Sequence, residues 1–525
     1  MRTRAHIVVL PAVLIFLSCA TSGWAQSRTT HLRTAAKHLN EWNLRGAQQT
    51  LNKLSDADRA TPHARHLLGW HSFLNGNYEQ ARQHLVAATT QQPQQKLWLA
   101  RLQLIQNTLE VTGGFKEIPS SKGHFIFRVR PGIDEVLIPY ASEALETAYD
   151  VLGEELRLRP EDPIRVEILD SVQALAEVSP LKLSEIKTSG TIALCHFNRL
   201  ILVSPRALVY GYRWIDTLVH EYVHYVVAHR TAKRTPIWFD EGLAKYFENR
   251  WRNHVSDPLS RVDEDRLATA LRRKSLIRFR AMSPSIAKLP SQQDAALAYA
   301  QVFTLVKLLM EKSLPNGIND VLQNIRNGKT ARKAIGQAIG KSFSRFEKEW
   351  KKSLYSRGLR RLPFSTTDRK HYRDTHAPTD ELKDIKDKKT RSLAYLGDRL
   401  VVKKRFLAAS KEYEKALQLA GGPEPIVSAK LANTLLKQGK HKRAIEVIGP
   451  AVRLNRHHVL LYLYRGKARL AVGDYEAAKD DLIEAVRINP FDPEVHDLLA
   501  NVLAKLGFED EAELELRQQR LVMAH

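Results

Sequence analysis

Four alanines near the C-terminus, Ala409, Ala444, Ala478 and Ala512, recur at intervals of 35, 34 and 34 residues. Tyr413, Ile448, Leu482 and Leu516 stand four places after them, and Ala416, Ala451 and Ala485 seven places after the first three. A fixed period of this length marks one helix–turn–helix unit per repeat. Such a unit cannot bury its apolar face alone, so neighbours must stack into a solenoid with a concave groove. Small residues at the recurring positions let paired helices cross closely. The rhythm also occurs near the start, where Ala47 and Ala81 are 34 residues apart and Leu51 and Leu85 follow each by four.

Between the two arrays lies a stretch of different character, Trp214 to Glu248. It contains His220-Glu221-Tyr222-Val223-His224, in an apolar run free of Gly and Pro that reads as a buried helix. Positions i and i+4 share a helix face, with Cβ atoms about 5–6 Å apart, so two imidazoles can grip one metal. Glu221 sits roughly 100° further round, where a carboxylate can take a proton from metal-activated water without occupying a coordination position. A hydrolytic zinc site usually has three protein ligands. Glu241, sixteen residues beyond the second histidine, supplies the third. It falls in the first turns of a second helix, for which Thr235-Pro236 makes a start with proline in the first turn. Asp240 is turned about 100° away from Glu241 on that helix, and Glu248 lies about 10 Å further along the same face. Glu248 is thus placed to orient a ligand. The competing reading is a buried histidine pair satisfied by hydrogen bonds. The flanking Trp-Phe-Asp-Glu-Gly-Leu-Ala-Lys-Tyr at the right distance argues against it.

The two motifs together resemble those of the gluzincin metallopeptidases, in particular the bacterial peptidase MA-like group, over roughly residues 124–355. The resemblance implies that His220, His224 and Glu241 bind one Zn²⁺ and that Glu221 is the general base. Thermolysin-type members have an aspartate four residues after the third ligand, where Lys245 stands; aminopeptidase-type members have a glutamate seven after, which Glu248 matches. The resemblance also implies a small sheet whose edge lies beside the zinc, able to take an extended peptide by main-chain hydrogen bonds. A downstream tyrosine donates to the oxyanion in several gluzincins. Tyr299, on an expected helix over Gln293–Lys312, is the candidate here, against the plainer reading of a core aromatic with its hydroxyl at the rim. The 34-residue arrays resemble tetratricopeptide repeats, which implies protein partners.

Strands are expected at His124–Arg130 and Ile164–Leu169, with a hairpin broken at His196-Phe197-Asn198 and ending at Ile201–Val203. Helices are expected over Asp134–Leu156, after Ser171, over Asp263–Leu276 and in small pieces from 317 to 355. The fold class is therefore mostly α, with a small α+β zincin-like catalytic domain between helical-hairpin repeats. The domain expectation is a signal peptide at 1–25, repeats at 26–115, a peptidase domain at 123–357, a charged mobile linker at 358–389 and repeats at 390–525.

Met1-Arg-Thr-Arg and the apolar run Ile7–Leu17 form a signal of export length, with Ser22-Gly-Trp-Ala25 suited to cleavage before Gln26. Lipoprotein processing at Cys19 is the rival, disfavoured because the usual leucine three residues before the cysteine is missing. No later segment approaches eighteen consecutive apolar residues, so a soluble mature chain in the bacterial periplasm or cell envelope is expected. Cys195 is then the lone cysteine of the mature chain, and it reads as a small buried hydrophobe. Of the formal charge of +24, residues 326–373 carry +12, from fifteen Lys/Arg against three Asp/Glu. An exported protein rarely meets nucleic acid, so none is expected as a partner. Anionic envelope lipid is the partner such a patch could meet, against a solvated linker face. The expected function is zinc-dependent hydrolysis of peptide bonds, with the repeats recruiting partners. The alternative is a repeat-based scaffold or assembly factor with a structural or vestigial metallopeptidase domain.

Overall fold

The computed structural model describes residues 27–252, 259–313, 317–359, 361–362, 372–373 and 381–525. The expected signal peptide and Cys19 lie outside them. The chain divides into two compact units, Met1–Val111 and Thr112–His525. The first is a run of helices that includes residues 27–40 and Leu44–Leu51, then Pro62–Leu74 and Tyr78–Gln91. The repeating Ala47, Leu51, Ala81 and Leu85 are all at most 1 % exposed, as the period requires.

The second unit opens on a mixed sheet of five described strands in the order β1-β2-β3-β5-β4. They are β1 Lys116–Pro119, β2 Phe125–Val129, β3 Ile164–Leu169, β4 Ala193–His196 and β5 Arg199–Val203. The parallel centre, β2, β3 and β5, is mostly buried and holds a buried ion pair, Arg199–Glu167 at 3.2 Å, whereas β1 and β4 run antiparallel at the edges. Edge strand β1 is not legible in the sequence. Lys-Glu-Ile-Pro is short, charged and ends in proline, all of which suit an edge and mask a strand. The turn from β4 to β5 holds Phe197 and Asn198 at φ 54° and 59°, the two left-handed residues a tight hairpin needs.

Serine caps fix many of the helix starts. Ser171, Ser260, Ser291 and Ser342 each accept a backbone N–H three residues on, at 3.1–3.3 Å. The caps shift two expected boundaries, giving Arg261–Arg272 and Gln292–Lys312. Helix Trp214–Thr231 packs on β4, β5 and helix Ile138–Glu155. It ends at Ala232 and Lys233, both left-handed at φ 51° and 59°, and the chain doubles back. Pro236 is the N-cap of the next helix, Ile237–Phe247, one place earlier than expected for it. That helix lies against Gln292–Lys312 at Gly242, where a Cβ would stand 2.7 Å from Val306 Cγ2 and 3.0 Å from the Val302 carbonyl oxygen.

Four helical hairpins complete the unit: Lys388–Val402 with Phe406–Ala420, Pro425–Lys437 with His441–Leu454, Val459–Ala471 with Tyr475–Val486, and Pro493–Lys505 with Glu509–Met523. Gly397 faces the Tyr413 ring and Gly466 the Leu482 side chain, at the crossing points of their hairpins. Parts of the expected linker lie outside the described residues, and the described parts make contacts with the rest of the unit. Tyr372 pairs with Leu208 as an isolated bridge, and Tyr372 Oη donates to the Ile186 carbonyl at 3.2 Å. Leu382 and Ile385 are buried in the repeat core. Part of the basic charge is also neutralised internally, by Lys341–Glu349 at 2.9 Å and Lys351–Glu347 at 2.9 Å. No described helix is long and apolar enough to cross a membrane.

The Gly242 contact gives a stability test. Gly242→Ala should destabilise the second unit by about 1–3 kcal/mol, because the added methyl meets a backbone carbonyl and a buried valine. Denaturant titration measures it; unchanged stability would mean that the two helices are not held at this spacing.

Candidate metal centre

The reversal at Ala232 and Lys233 lays the glutamate helix, Ile237–Phe247, beside the histidine helix, Trp214–Thr231. Three ligand atoms converge there. His220 Nε2 lies 3.2 Å from His224 Nε2 and 3.3 Å from Glu241 Oε2, and His224 Nε2 lies 3.4 Å from the same oxygen. A tetrahedral zinc with ligands at about 2.0–2.1 Å has ligand-to-ligand edges of about 3.3 Å, so the triangle fits one face of that polyhedron. Two imidazole nitrogens facing one another cannot both carry protons. The donor set of two imidazoles and a carboxylate is one that zinc takes. The residues present fit the metal.

The opposite edge of each ring is backed by a carboxylate. His220 Nδ1 is 3.1 Å from Glu248 Oε2, and His224 Nδ1 is 3.0 Å from Asp240 Oδ2. Lys245 Nζ donates to Glu248 Oε1 at 2.6 Å. Carboxylates behind the rings favour protons on Nδ1 and turn the Nε2 lone pairs inward. Burial works against charge on both histidines, yet the surrounding carboxylates outweigh it and raise both pKa values, that of His224 well above the ordinary range. Burial would raise Glu241, but the two histidines bring it down to about 2. Glu248 is likewise lowered, Lys245 and His220 outweighing burial.

Glu221 projects from the same helix toward the sheet edge. Its Oε2 accepts the Cys195 backbone N–H of β4 at 2.6 Å. Burial raises its pKa, while His224 and His220 pull the other way. Val203 N donates to Ile192 O at 2.8 Å, and His196 pairs with Arg199, so Ile192, Leu194 and His196 turn their backbone groups toward β5. Ala193 and Cys195 therefore turn theirs outward, along the free edge beside Glu221. Tyr299, on helix Gln292–Lys312, has its ring centroid 6.2 Å from that of His220. Its hydroxyl makes no hydrogen bond among the described residues. Burial, then Glu241, Glu221 and Glu248, keep it protonated far above its ordinary pKa.

All five residues singled out in the sequence are thus brought together, and Glu248 stands behind His220 as its spacing implied. Sequence reasoning missed three partners. Asp240 does point away from the ligand triangle, and doing so puts it behind His224. Lys245, noted only as a departure from a family pattern, holds Glu248. Cys195 is half-buried, with its thiol pKa well raised by burial of the sulfur and by Glu221, and its contribution is a main-chain donor that no side-chain motif encodes.

Comparison with known proteins finds two matched regions in the chain. Residues 145–356 match the Peptidase MA superfamily model, and residues 435–502 match a tetratricopeptide repeat model. A curated relative is the tetratricopeptide repeat and J domain-containing co-chaperone DNJ1 of Cryptococcus neoformans var. grubii serotype A, 36 % identical over 86 residues. That match covers 16 % of this chain and 16 % of the relative, about a sixth of its length. Among solved structures, MamA from Desulfovibrio magneticus RS-1 is 19 % identical with a TM-score of 0.25, covering 27 % of this chain and 82 % of that one. The first tetratricopeptide domain of human RPAP3 is 23 % identical with a TM-score of 0.22, covering 23 % and 95 %. The chain carries a Peptidase MA superfamily domain over residues 145–356, followed by tetratricopeptide repeats.

Proposed function

We propose that this chain is a zinc-dependent peptidase of the bacterial envelope whose repeat arrays bind protein partners. The observation that carries it is the triangle of His220 Nε2, His224 Nε2 and Glu241 Oε2, at 3.2–3.4 Å edges with a carboxylate behind each ring. The basic n-region, apolar run and small-residue site at the N-terminus support export.

Zn²⁺, when bound, supplies the Lewis acidity that makes water nucleophilic near neutral pH and polarises a carbonyl. The protein's own groups do the rest. The outward backbone groups of Ala193 and the Cys195 carbonyl take an extended substrate by main-chain hydrogen bonds, which suits varied sequences, while the Cys195 N–H stays on Glu221. Glu221, adjacent to that edge, removes the proton from the attacking water and passes it to the leaving amine. Tyr299, neutral and with a free hydroxyl, donates to the oxygen of the attacked carbonyl as charge develops there.

Glu221→Gln should lower peptide hydrolysis by at least about 10²-fold while zinc content is retained. Comparing envelope fractions from cells carrying wild type or Glu221→Gln identifies substrates as proteins whose fragments disappear. Hydrolysis at the wild-type rate in this variant would overturn the assignment. A cellular role that survives Glu221→Gln untouched would instead favour the scaffold.

The ligand assignment predicts an order of zinc affinities. Glu241→Gln should lose most of it, since two protein ligands would remain. Asp240→Asn and Glu248→Gln should each weaken binding by about 10–100-fold, the usual effect of removing the group behind a ligand. Chelator-competition titration ranks the three, and wild-type affinity in Glu241→Gln would sink the assignment.

Tyr299→Phe should lower kcat by about 10²–10³-fold with zinc affinity unchanged, the pattern of a lost oxyanion donor. Unchanged kcat would return Tyr299 to the role of a packed aromatic.

A further inference from the structure

The repeats and the metal-site helices share one cluster of charges. Asp216 lies one turn before His220 on the histidine helix. Its carboxylate accepts from Arg213 Nε at 2.8 Å, Arg252 Nη2 at 2.8 Å and Trp251 Nε1 at 3.2 Å. Arg252 stands four residues after Glu248, the carboxylate behind His220. Glu484, on repeat helix Tyr475–Val486, pairs with Arg213 Nη2 at 2.8 Å and accepts from Arg252 Nη1 at 2.6 Å and Arg487 Nη1 at 2.8 Å. The Arg252 and Arg487 guanidinium groups each lie over the Trp251 ring, 4.8 Å from its centroid.

Both chain segments that meet at His220 are therefore tied to one repeat carboxylate: the helix that carries the ring, through Arg213 and Asp216, and the segment leaving Glu248, through Arg252. The cluster sets three arginines against two carboxylates, with side chains between 10 % and 25 % exposed. Burial disfavours charge on Glu484, yet Arg213, Arg252 and Arg487 hold its pKa down to about 2. Without that carboxylate, three part-buried cations would share Asp216 alone, and mutual repulsion would spread the two segments.

Resting on the zinc reading above, we propose that Glu484 is a positioning residue for the metal centre, contributed by the repeat array. The array is then part of the scaffold that orients His220. A separate dock between the same two parts supplies a control: Tyr140 Oη donates to Glu515 Oε1 at 2.9 Å, and His496 Nδ1 lies 2.6 Å from Glu515 Oε2, without an ion pair to Asp216, Arg213 or Arg252.

The test uses the full chain loaded with Zn²⁺, and in parallel with Co²⁺ for its absorption spectrum. Glu484→Gln should weaken zinc by about 10–100-fold in chelator competition and alter the Co²⁺ bands, as loss of a group supporting a ligand does. Glu484→Asp, which keeps the charge, should restore affinity to within about threefold of wild type on the same ground. Glu515→Gln should lower thermal stability with affinity and spectrum unchanged. Should Glu484→Gln fail to fold, Arg252→Lys carries the same expectation, because it keeps the charge and loses the fork that spans Asp216 and Glu484. Wild-type affinity and spectrum in Glu484→Gln would overturn the proposal, as would an equal loss in Glu515→Gln. A wild-type chain that binds no zinc would overturn the zinc reading itself, and this inference with it.

Discussion

Two imidazole nitrogens held 3.2 Å apart in a buried pocket, both facing one carboxylate oxygen, form an arrangement that nothing local would choose. Ring–ring contact through two lone pairs is repulsive, and contact through two N–H groups is equally so. The surroundings resist that repulsion from behind. Asp240 and Glu248 hold the far nitrogens, Lys245 steadies Glu248, and the left-handed pair Ala232 and Lys233 returns the chain so that Glu241 closes the triangle. Left-handed conformations at two non-glycine residues cost roughly 1–2 kcal/mol each. The fold tolerates that strain where the reversal is needed, the usual place for strain to be kept.

How much of this was legible in the sequence follows from the range of each interaction. The i,i+4 histidines, the helix-borne Glu241 and the seven-residue step to Glu248 are local periodicities, and periodicity is what a sequence displays. Strand Ile164–Leu169 was equally visible, because Ile164, Val166 and Ile168 alternate with Arg165 and Glu167 at the period of a strand. Strand β1 was hidden because an exposed edge selects residues that do not look like strand. Asp240 was set aside on a correct angle: 100° from Glu241 leads behind the second histidine, and only the packing of two helices reveals what stands there. The Cys195 N–H was beyond reach for a different reason, since main-chain donors carry no residue identity.

The charged residues were the least legible of all. Arg213, Asp216, Arg252, Glu484 and Arg487 belong to no motif or period in the sequence, and the basic segment before the repeats reads as a tether. In the structure these five cluster within a part-buried contact, alongside backbone bonds such as Tyr212 N to Ile488 O at 3.1 Å. Gly211 is required there: at φ 66° a Cβ would stand 2.3 Å from the Ile488 carbonyl oxygen. Net charge says where a chain is soluble, and it is silent about which charges find one another across hundreds of residues.

The two ends of the C-terminal solenoid consequently stand under different rules of change. Its later hairpins supply Glu484, Arg487, His496 and Glu515 to fixed contacts, so a hairpin duplicated among them would carry these groups out of reach of Arg213, Arg252 and Tyr140. The first hairpin presents Tyr395, Val402 and Leu407 to solvent at 57 %, 81 % and 60 % exposure. A further unit stacked there would cover apolar surface and disturb none of the anchored groups.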